Sequence, residues 1–191
     1  MVRFRISSPY NPIGMKIYTR TGDTGMTNLI DGTRIAKSDP RVDACGEVDE
    51  ASAALGLVRA IGLDHDLDDM VVQVQRDLFA LGSRLADPAG KITTHPERTA
   101  LGQQDVVRLE GWIDQLESEL RPLRHFILPG GAAPGAALHS ARTVFRRAER
   151  RIVALGQVEP VLLAYANRLS DLLFVMARVV NFRGAVSEVE W

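Results

Sequence analysis

The 191-residue sequence contains one cysteine, Cys45, and few aromatic residues, which make up 6% of the chain. A single thiol excludes an internal disulfide framework and any zinc site built from several cysteines. Neither sign of charge dominates, because 23 Lys and Arg residues stand against 24 Asp and Glu. This balance argues against nonspecific binding to nucleic acid or to an anionic membrane surface.

Long apolar runs and targeting signals are also missing. No uninterrupted apolar run approaches the ~18 residues of a membrane-spanning helix. The N-terminus lacks the apolar segment of a signal peptide. We therefore expect a soluble, cytoplasmic protein with no nucleic-acid partner and no membrane partner.

The composition is otherwise that of one globular domain. Apolar residues account for 46%, which is enough for a sizeable core. Residues 1–15 carry two prolines and a glycine without any periodic pattern. We predict a flexible N-terminal tail over 1–15 and a single domain over 16–191, and the sequence leaves open whether Met1 or Met15 is the natural start.

Helical periodicity dominates the chain from residue 46 onward. Apolar residues recur at spacings of three and four in five segments, and short polar or Gly/Pro-containing connections separate them. The predicted helices are about 46–62, 66–86, 102–120, 136–155 and 159–182. Strand signals are weak, with KIYT at 16–19 and HFIL at 125–128 as the only candidates. We predict an all-α, up-and-down bundle of five helices.

The common catalytic motifs are absent. The sequence has no phosphate-binding P-loop, no dinucleotide fingerprint and no nucleophile elbow. No histidine follows an acidic residue at the spacing of the di-iron bundles. We interpret Cys45 as a small buried core residue and His139 as a core or interface histidine whose hydrogen bonds are satisfied.

Arginine is concentrated on the fourth predicted helix. At about 100° per residue, Arg142, Arg146 and Arg150 form a stripe beside the core-facing residues, whereas Arg147 and Arg151 point further round. Like charges four residues apart repel, so this stripe requires anions. Carboxylates of the same chain, carboxylates of a partner subunit and a phosphate ligand all satisfy that requirement, as does a solvated face with ordinary salt bridges.

Three further segments carry polar or aromatic groups suited to a ligand. On the very apolar fifth helix, Asn167 and Asp171 lie four residues apart and need hydrogen-bond partners. The loop YTRTGDTGMT at 18–27 combines two glycines with Thr hydroxyls, a composition typical both of phosphate-binding nests and of ordinary turns. The run FILPGG at 126–131 joins an apolar stretch to a rigid turn, which suits both a hydrophobic wall beside a ligand and a loop that caps the bundle.

These motifs together resemble the PduO-type ATP:cob(I)alamin adenosyltransferases. The resemblance rests on YTRTGDTG at 18–25, GEVDE at 46–50, FILPGG at 126–131, ARTVFRRAERR at 141–151 and NRLSD at 167–171. Each motif is short, but all five occur in the family's order and spacing. The resemblance implies a homotrimer of five-helix bundles with active sites between neighbouring subunits.

The resemblance also implies the roles of individual residues. Arg146 and Phe126 are implied in catalysis, with Phe126 as a wall that displaces the lower axial ligand of cobalamin. Asp49 and Arg142 are implied as a salt bridge across the subunit boundary. The residues implied in ATP binding are Thr19, Arg20, Thr21, Gly22, Thr27, Asn28, Lys37, Arg146, Arg147, Ala148, Glu149, Arg150 and Asn167.

The implied reaction transfers the 5′-deoxyadenosyl group of ATP to the cobalt of cob(I)alamin and releases triphosphate, with Mg²⁺ as the metal. Because cob(I)alamin is itself a strong nucleophile, the absence of a protein nucleophile fits this reaction. The alternative is a non-catalytic trimeric sensor or chaperone that binds ATP or cobalamin. Implied partners are a flavoprotein reductase and an adenosylcobalamin-dependent enzyme, and the sequence identifies neither them nor the metal ligands.

Overall fold

The computed structural model describes residues 18, 20–88, 90 and 100–191 and confirms a mainly helical protein with five long helices. The predicted tail over 1–15 lies outside the described residues. The helices are α1 (Pro40–Ile61), α2 (His65–Leu85), α3 (Gln103–Glu117), α4 (Ala133–Ala154) and α5 (Pro160–Arg183).

Helix α1 begins at Pro40, earlier than the apolar periodicity predicts. The side chain of Asp39 accepts a hydrogen bond of 2.8 Å from the N–H of Arg41, and Pro40 occupies the first turn. An N-cap and an N-terminal proline define a helix start independently of the apolar pattern. Helix α4 likewise begins at Ala133, three residues before the predicted start, and α3 ends at Glu117 rather than at residue 120.

Helix α5 is the most deeply buried helix and packs against both α3 and α4, while α1 packs against α2 and α4. The interior side chains of α5 include Tyr165 and Leu169, and Phe145 of α4 packs in the same core. The sequence has no long uninterrupted apolar run, from which no membrane span was expected. An 18-residue window of α5 nevertheless reaches a mean hydropathy of 1.2, which is apolar enough for a membrane span by composition. Since 56% of that window is buried, its apolar character is that of a core helix.

A buried ionic network joins α2, α3 and α5. The Tyr165 hydroxyl donates to Asp77 Oδ2 at 2.8 Å, and Arg108 donates to both Asp77 and Asp105. Burial and the negative charge of Asp77 raise the pKa of Tyr165. Removing one partner of such a network leaves a buried charge uncompensated and costs about 3–5 kcal/mol.

A short antiparallel hairpin precedes α1 and was not predicted. Its strands are β1 (Met26–Asn28) and β2 (Arg34–Ala36), with Thr27 opposite Ile35. The Asp31 carboxylate closes the turn by accepting hydrogen bonds from the N–H and hydroxyl of Thr33.

The two weak strand candidates have different outcomes. Most of KIYT lies outside the described residues. From HFIL, Ile127 forms an isolated β-bridge with Glu190 near the C-terminus.

Candidate active site

The hairpin brings Lys37 back onto the loop that contains Gly22 and Gly25, which we call the glycine loop. The N–H of Lys37 donates to the carbonyl of Gly25 at 2.8 Å, and the N–H of Gly25 donates to the carbonyl of Gly22 at 3.2 Å. A Cβ atom on Gly22 would lie 3.1 Å from Lys37 Nζ, so glycine leaves the space that the ammonium group occupies. The structure therefore places a cation directly beside the loop predicted to bind phosphate.

The other predicted loop residues are arranged around this contact. Arg20 has a φ of 58°, and its guanidinium lies 5.5 Å from the centroid of the Tyr18 ring. Thr27 and Asn28 are consecutive residues of β1, so their side chains point to opposite faces of the hairpin. The predicted ATP-binding residue Thr19 lies outside the described residues.

On one side of α4, arginines form ion pairs with acidic residues of α1. Arg147 Nε lies 2.6 Å from Glu47 Oε2, and the same guanidinium also pairs with Glu50. Arg151 Nε lies 3.0 Å from Asp43 Oδ2. The hydrogen bonds that the Arg147 guanidinium donates to the two glutamates raise the pKa of Arg147. The side chain of Arg147 thus holds α4 against α1, and its predicted contact with ATP stays a prediction.

On the other side of α4, three arginines lack such partners. Within the described residues, no carboxylate forms an ion pair with Arg142, Arg146 or Arg150. Arg146 and Arg150 are exposed, and Arg150 Nη1 donates to the carbonyl of Arg146 at 3.0 Å. Between these arginines, the side chain of Ala148 is buried in the core, and its predicted contact with ATP stays a prediction.

Arg142 is the half-buried member of this row. Its guanidinium lies 5.6 Å from the centroid of the Phe174 ring, and its Nε has no hydrogen-bond partner among the described residues. Burial lowers the pKa of Arg142, and the nearby charge of Arg146 lowers it further. The arrangement therefore favours an anionic partner from outside the described residues.

Helix α5 contributes Asn167 to the same region. Its amide Nδ2 donates to Glu149 Oε1 at 3.5 Å, and Ser170 Oγ donates to the second oxygen of Glu149 at 3.4 Å. Arg168 donates to Asn167 Oδ1 at 3.2 Å. The polar stripe predicted on α5 is thus satisfied by α4 and by its own helix, and Asn167 stays exposed beside the arginine row.

The predicted wall residue Phe126 is 80% exposed and is held by the C-terminal segment. The N–H of Trp191 donates to the carbonyl of Phe126, and the N–H of Leu128 donates to the carbonyl of Val189, both at 2.8 Å. The rings of Phe126 and Trp191 contact edge to face with centroids 6.5 Å apart. Sequence reasoning missed Trp191, although the alternation of apolar and acidic residues before it is a weak strand signal.

Two predicted groups lie apart within one chain. Asp49 is an exposed residue of α1 and forms no ion pair with a described residue, and Arg142 lies on the α5 side of α4. The two therefore do not meet inside a subunit.

His139 differs from its prediction. It is buried as expected, but both of its ring nitrogens lack a hydrogen-bond partner among the described residues. Cys45, by contrast, is the buried thiol that was expected, and burial raises its pKa to about 11.

The described residues contain no cluster of three or more His, Cys, Asp or Glu side chains that could hold a metal ion. The cations beside the loop and on α4 suit a phosphate ligand rather than a metal, which they would repel.

The functional groups divide between the two ends of the bundle. The hairpin contacts the end of α2 through the N–H of Ile30 and the carbonyl of Ala86, and Arg151 reaches the start of α1. Phe126 and Trp191 flank the opposite end, before α4 and after α5. Helix α4 has 22 residues and is about 33 Å long, so one chain does not bring Phe126 to the glycine loop.

Comparisons with known proteins place this geometry in a family. The family model described as Cobalamin adenosyltransferase matches residues 17–180. A corrinoid adenosyltransferase of Mycobacterium tuberculosis (strain ATCC 25618 / H37Rv) is 46% identical over 177 residues, which cover 90% of this chain and 91% of that protein.

Solved structures agree with this match. A PduO-type ATP:corrinoid adenosyltransferase from Lactobacillus reuteri, in a phenylalanine-to-alanine variant complexed with cobalamin and ATP, is 36% identical with a TM-score of 0.85. An arginine-to-lysine variant from the same organism, complexed with ATP, is 37% identical with a TM-score of 0.83. Each covers 92% of this chain and 99% of the solved chain. The resemblance found in the motifs is confirmed, and this chain belongs to the cobalamin adenosyltransferase family.

Proposed function

We propose that this chain transfers the 5′-deoxyadenosyl group of ATP to the cobalt of cob(I)alamin, producing adenosylcobalamin and triphosphate. The observation that carries the proposal is the row of Arg142, Arg146 and Arg150, which has no carboxylate partner among the described residues. Such a row suits a polyanion, and the solved relatives were complexed with ATP alone or with cobalamin and ATP.

The proposed reaction needs cations that stabilise the leaving triphosphate, and it needs no proton transfer. An electron pair on cobalt forms the bond to C5′, the C5′–O bond breaks, and its electron pair leaves on the triphosphate. Because the cobalt nucleophile carries no proton, the reaction needs no general base. The protein's part is to align cobalt, C5′ and the leaving oxygen and to stabilise the charge that develops on the phosphates.

Arg146, Arg150 and Lys37 are the groups we assign to the triphosphate. Arg146 and Arg150 are exposed cations on the side of α4 where no described carboxylate pairs with the arginines. Lys37 Nζ is packed beside Gly22. A single donor aimed at developing negative charge contributes about 3–4 kcal/mol to transition-state stabilisation. We assign Asn167 to the nucleotide, since its amide is exposed next to Glu149.

Phe126 is the group we assign to the corrin. Its side chain is exposed and apolar, and backbone pairing with the C-terminal segment holds it in place. An apolar ring offers cobalt no ligand atom, so it favours loss of the lower axial ligand. A cobalt without that ligand is more easily reduced to the nucleophilic Co(I) state.

We also propose that the active site is shared between subunits of a homotrimer. The separation of Phe126 from the glycine loop supports this assembly, because ATP and cobalamin must meet at one point. The unpaired Arg142 and the exposed Asp49 support a salt bridge between neighbouring copies. A carboxylate from a second copy would satisfy the charge that no described residue of the same chain neutralises.

The remaining proposals concern the chain's surroundings. We propose that Mg²⁺ enters bound to the phosphates of ATP. We propose a cytoplasmic location, a flavoprotein reductase as the electron donor and an adenosylcobalamin-dependent enzyme as the acceptor of the product. The even balance of charge, with 23 basic and 24 acidic residues, supports the absence of nucleic-acid and membrane partners.

The test is an anaerobic assay of the purified chain with ATP, Mg²⁺ and chemically reduced cob(I)alamin, followed by visible absorbance. We expect the cob(I)alamin band to decay while a photolabile alkylcobalamin spectrum grows, with one triphosphate released per cobalamin. ATP binding without any spectral change would contradict the enzyme and favour a non-catalytic sensor or chaperone.

A further inference from the structure

We propose that Arg34 is a positioning residue that fixes the glycine loop in its ATP-binding form, an inference that rests on the proposed function. Arg34 lies in β2, opposite Asn28 of β1. Its Nη1 donates to Asn28 Oδ1 at 3.1 Å, and its Nη2 donates to the carbonyl of Thr21 at 2.9 Å. One guanidinium therefore ties the hairpin to a loop residue 13 positions earlier in the sequence.

The contact with Thr21 determines where the next amide points. The described residues contain no cis peptide bond, and in a trans peptide the C=O and the following N–H point in opposite directions. Arg34 holds the carbonyl of Thr21, so the N–H of Gly22 must point away from Arg34. That N–H donates to no described residue and is available to a ligand.

The N–H of Gly22 lies close to a second hydrogen-bond donor. Lys37 Nζ occupies the space next to Gly22, so an oriented N–H and an ammonium group lie side by side. Together they form a local site for a phosphate oxygen, which prefers several donors with fixed directions. Without Arg34, the exposed loop must adopt this orientation during binding, and ATP affinity falls by the fraction of time it spends elsewhere.

Arginine is required here for the shape of its donor group as well as for its charge. The planar guanidinium donates in two directions at once, to a side-chain oxygen and to a backbone oxygen. A lysine ammonium carries the same charge but does not provide a planar fork with the same reach. Arg34→Lys therefore separates positioning from simple electrostatic attraction of ATP.

The test measures kcat and KM for ATP in the anaerobic assay for the wild type, Arg34→Ala, Arg34→Lys and a control, Arg76→Ala. Arg76 is an exposed arginine of α2 that forms no ion pair with a described residue. We expect Arg34→Ala to raise the KM for ATP about tenfold, the ratio that 1.4 kcal/mol gives, with kcat within about twofold. Arg34→Lys should raise KM severalfold, and Arg76→Ala should leave both constants unchanged.

Chemical rescue distinguishes positioning from a folding defect. Guanidinium ion at millimolar concentration should partly restore the KM of Arg34→Ala, whereas ammonium ion at equal ionic strength should not. An unchanged KM in Arg34→Ala, or a wild-type KM in Arg34→Lys, would overturn the inference and leave the proposed function intact. Absence of turnover in the wild type would instead remove the proposed function and this inference with it.

Discussion

The two sides of α4 carry the same residue type in opposite circumstances. On the side facing α1, Arg147 and Arg151 pair with Glu47, Glu50 and Asp43. On the side facing α5, the row of Arg142, Arg146 and Arg150 pairs with no described carboxylate. A rotation of about 140° around the helix separates Arg142 from Arg147.

This difference shows which arginines serve the fold and which are available to a ligand. Ion pairs inside the chain satisfy Arg147 and Arg151, which link α4 to α1. The other row is electrostatically unfavourable at Arg142, where burial lowers the pKa and the nearby charge of Arg146 lowers it further. A phosphate ligand or a partner subunit's carboxylate would remove that cost, and we therefore propose that the unpaired side binds the ligand.

Removal of one arginine from the unpaired side should have the largest effect on activity. Arg146→Ala should lower kcat/KM by about 10²–10³-fold, the usual loss for one donor to a developing negative charge. The helix should persist, because Arg146 is exposed and forms no ion pair with a described residue. Turnover in the anaerobic assay and thermal unfolding by circular dichroism measure the two effects.

Arg151→Ala is the matched control from the paired side. It removes an exposed arginine of the same helix whose partner is Asp43. Activity should stay within about twofold, because an exposed ion pair contributes at most about 1 kcal/mol to stability. Equal losses in Arg146→Ala and Arg151→Ala would show that the two sides of α4 do not differ in function.

Arg147→Ala tests whether Arg147 serves the fold or the ligand, because the motif implies a nucleotide contact and the structure shows a contact with α1. Loss of its pairs with Glu47 and Glu50 should lower Tm by about 2–4 °C, with kcat/KM reduced by less than about threefold. Calorimetry and steady-state kinetics provide the two readouts. An unchanged Tm with a large loss of activity would return Arg147 to the nucleotide.

The sequence predicted the helical framework well, because apolar periodicity records which face of each helix is buried. It placed the start of α1 too late, since Asp39 and Pro40 begin that helix without contributing to the apolar pattern. The hairpin was missed because its strands have three residues each, too few for a periodic signal.

The site was predictable only in part. The family resemblance implied Gly22 and Lys37, but their contact depends on hairpin register, which the sequence does not show. Arg146 and Arg147 are adjacent in one motif, and helical geometry separates their directions, but only the position of α1 shows that Arg147 meets Glu47 and Glu50. Trp191 meets Phe126 through long-range backbone pairing, and the weak strand signal before Trp191 does not reveal which segment it pairs with.

The smallest expected effect concerns pH and His139, which lies next to the unpaired row. Burial lowers the pKa of His139, and the charge of Arg142 lowers it further; the group facing it from α5 is the uncharged ring of Phe174. Because the unfolded chain binds this proton more tightly, the free energy of unfolding should decrease as pH falls below about 6.5.

Denaturant unfolding between pH 7.5 and 5 measures this dependence. His139→Leu should flatten it, while His65→Gln, which changes an exposed histidine of α2, should not. Asp66 and Asp68 do not interfere, because arginine partners hold their pKa values below 3.8. Identical slopes for the wild type and His139→Leu would show that His139 is not kept neutral by its surroundings.

The most direct test of the functional division of α4 is a crystal structure of the full chain with ATP and no corrinoid. We predict triphosphate oxygens within hydrogen-bond distance of Arg146 and Arg150, with Arg147 and Arg151 still paired to α1. A triphosphate bound on the α1 side of α4, with Arg147 released from Glu47, would contradict the account.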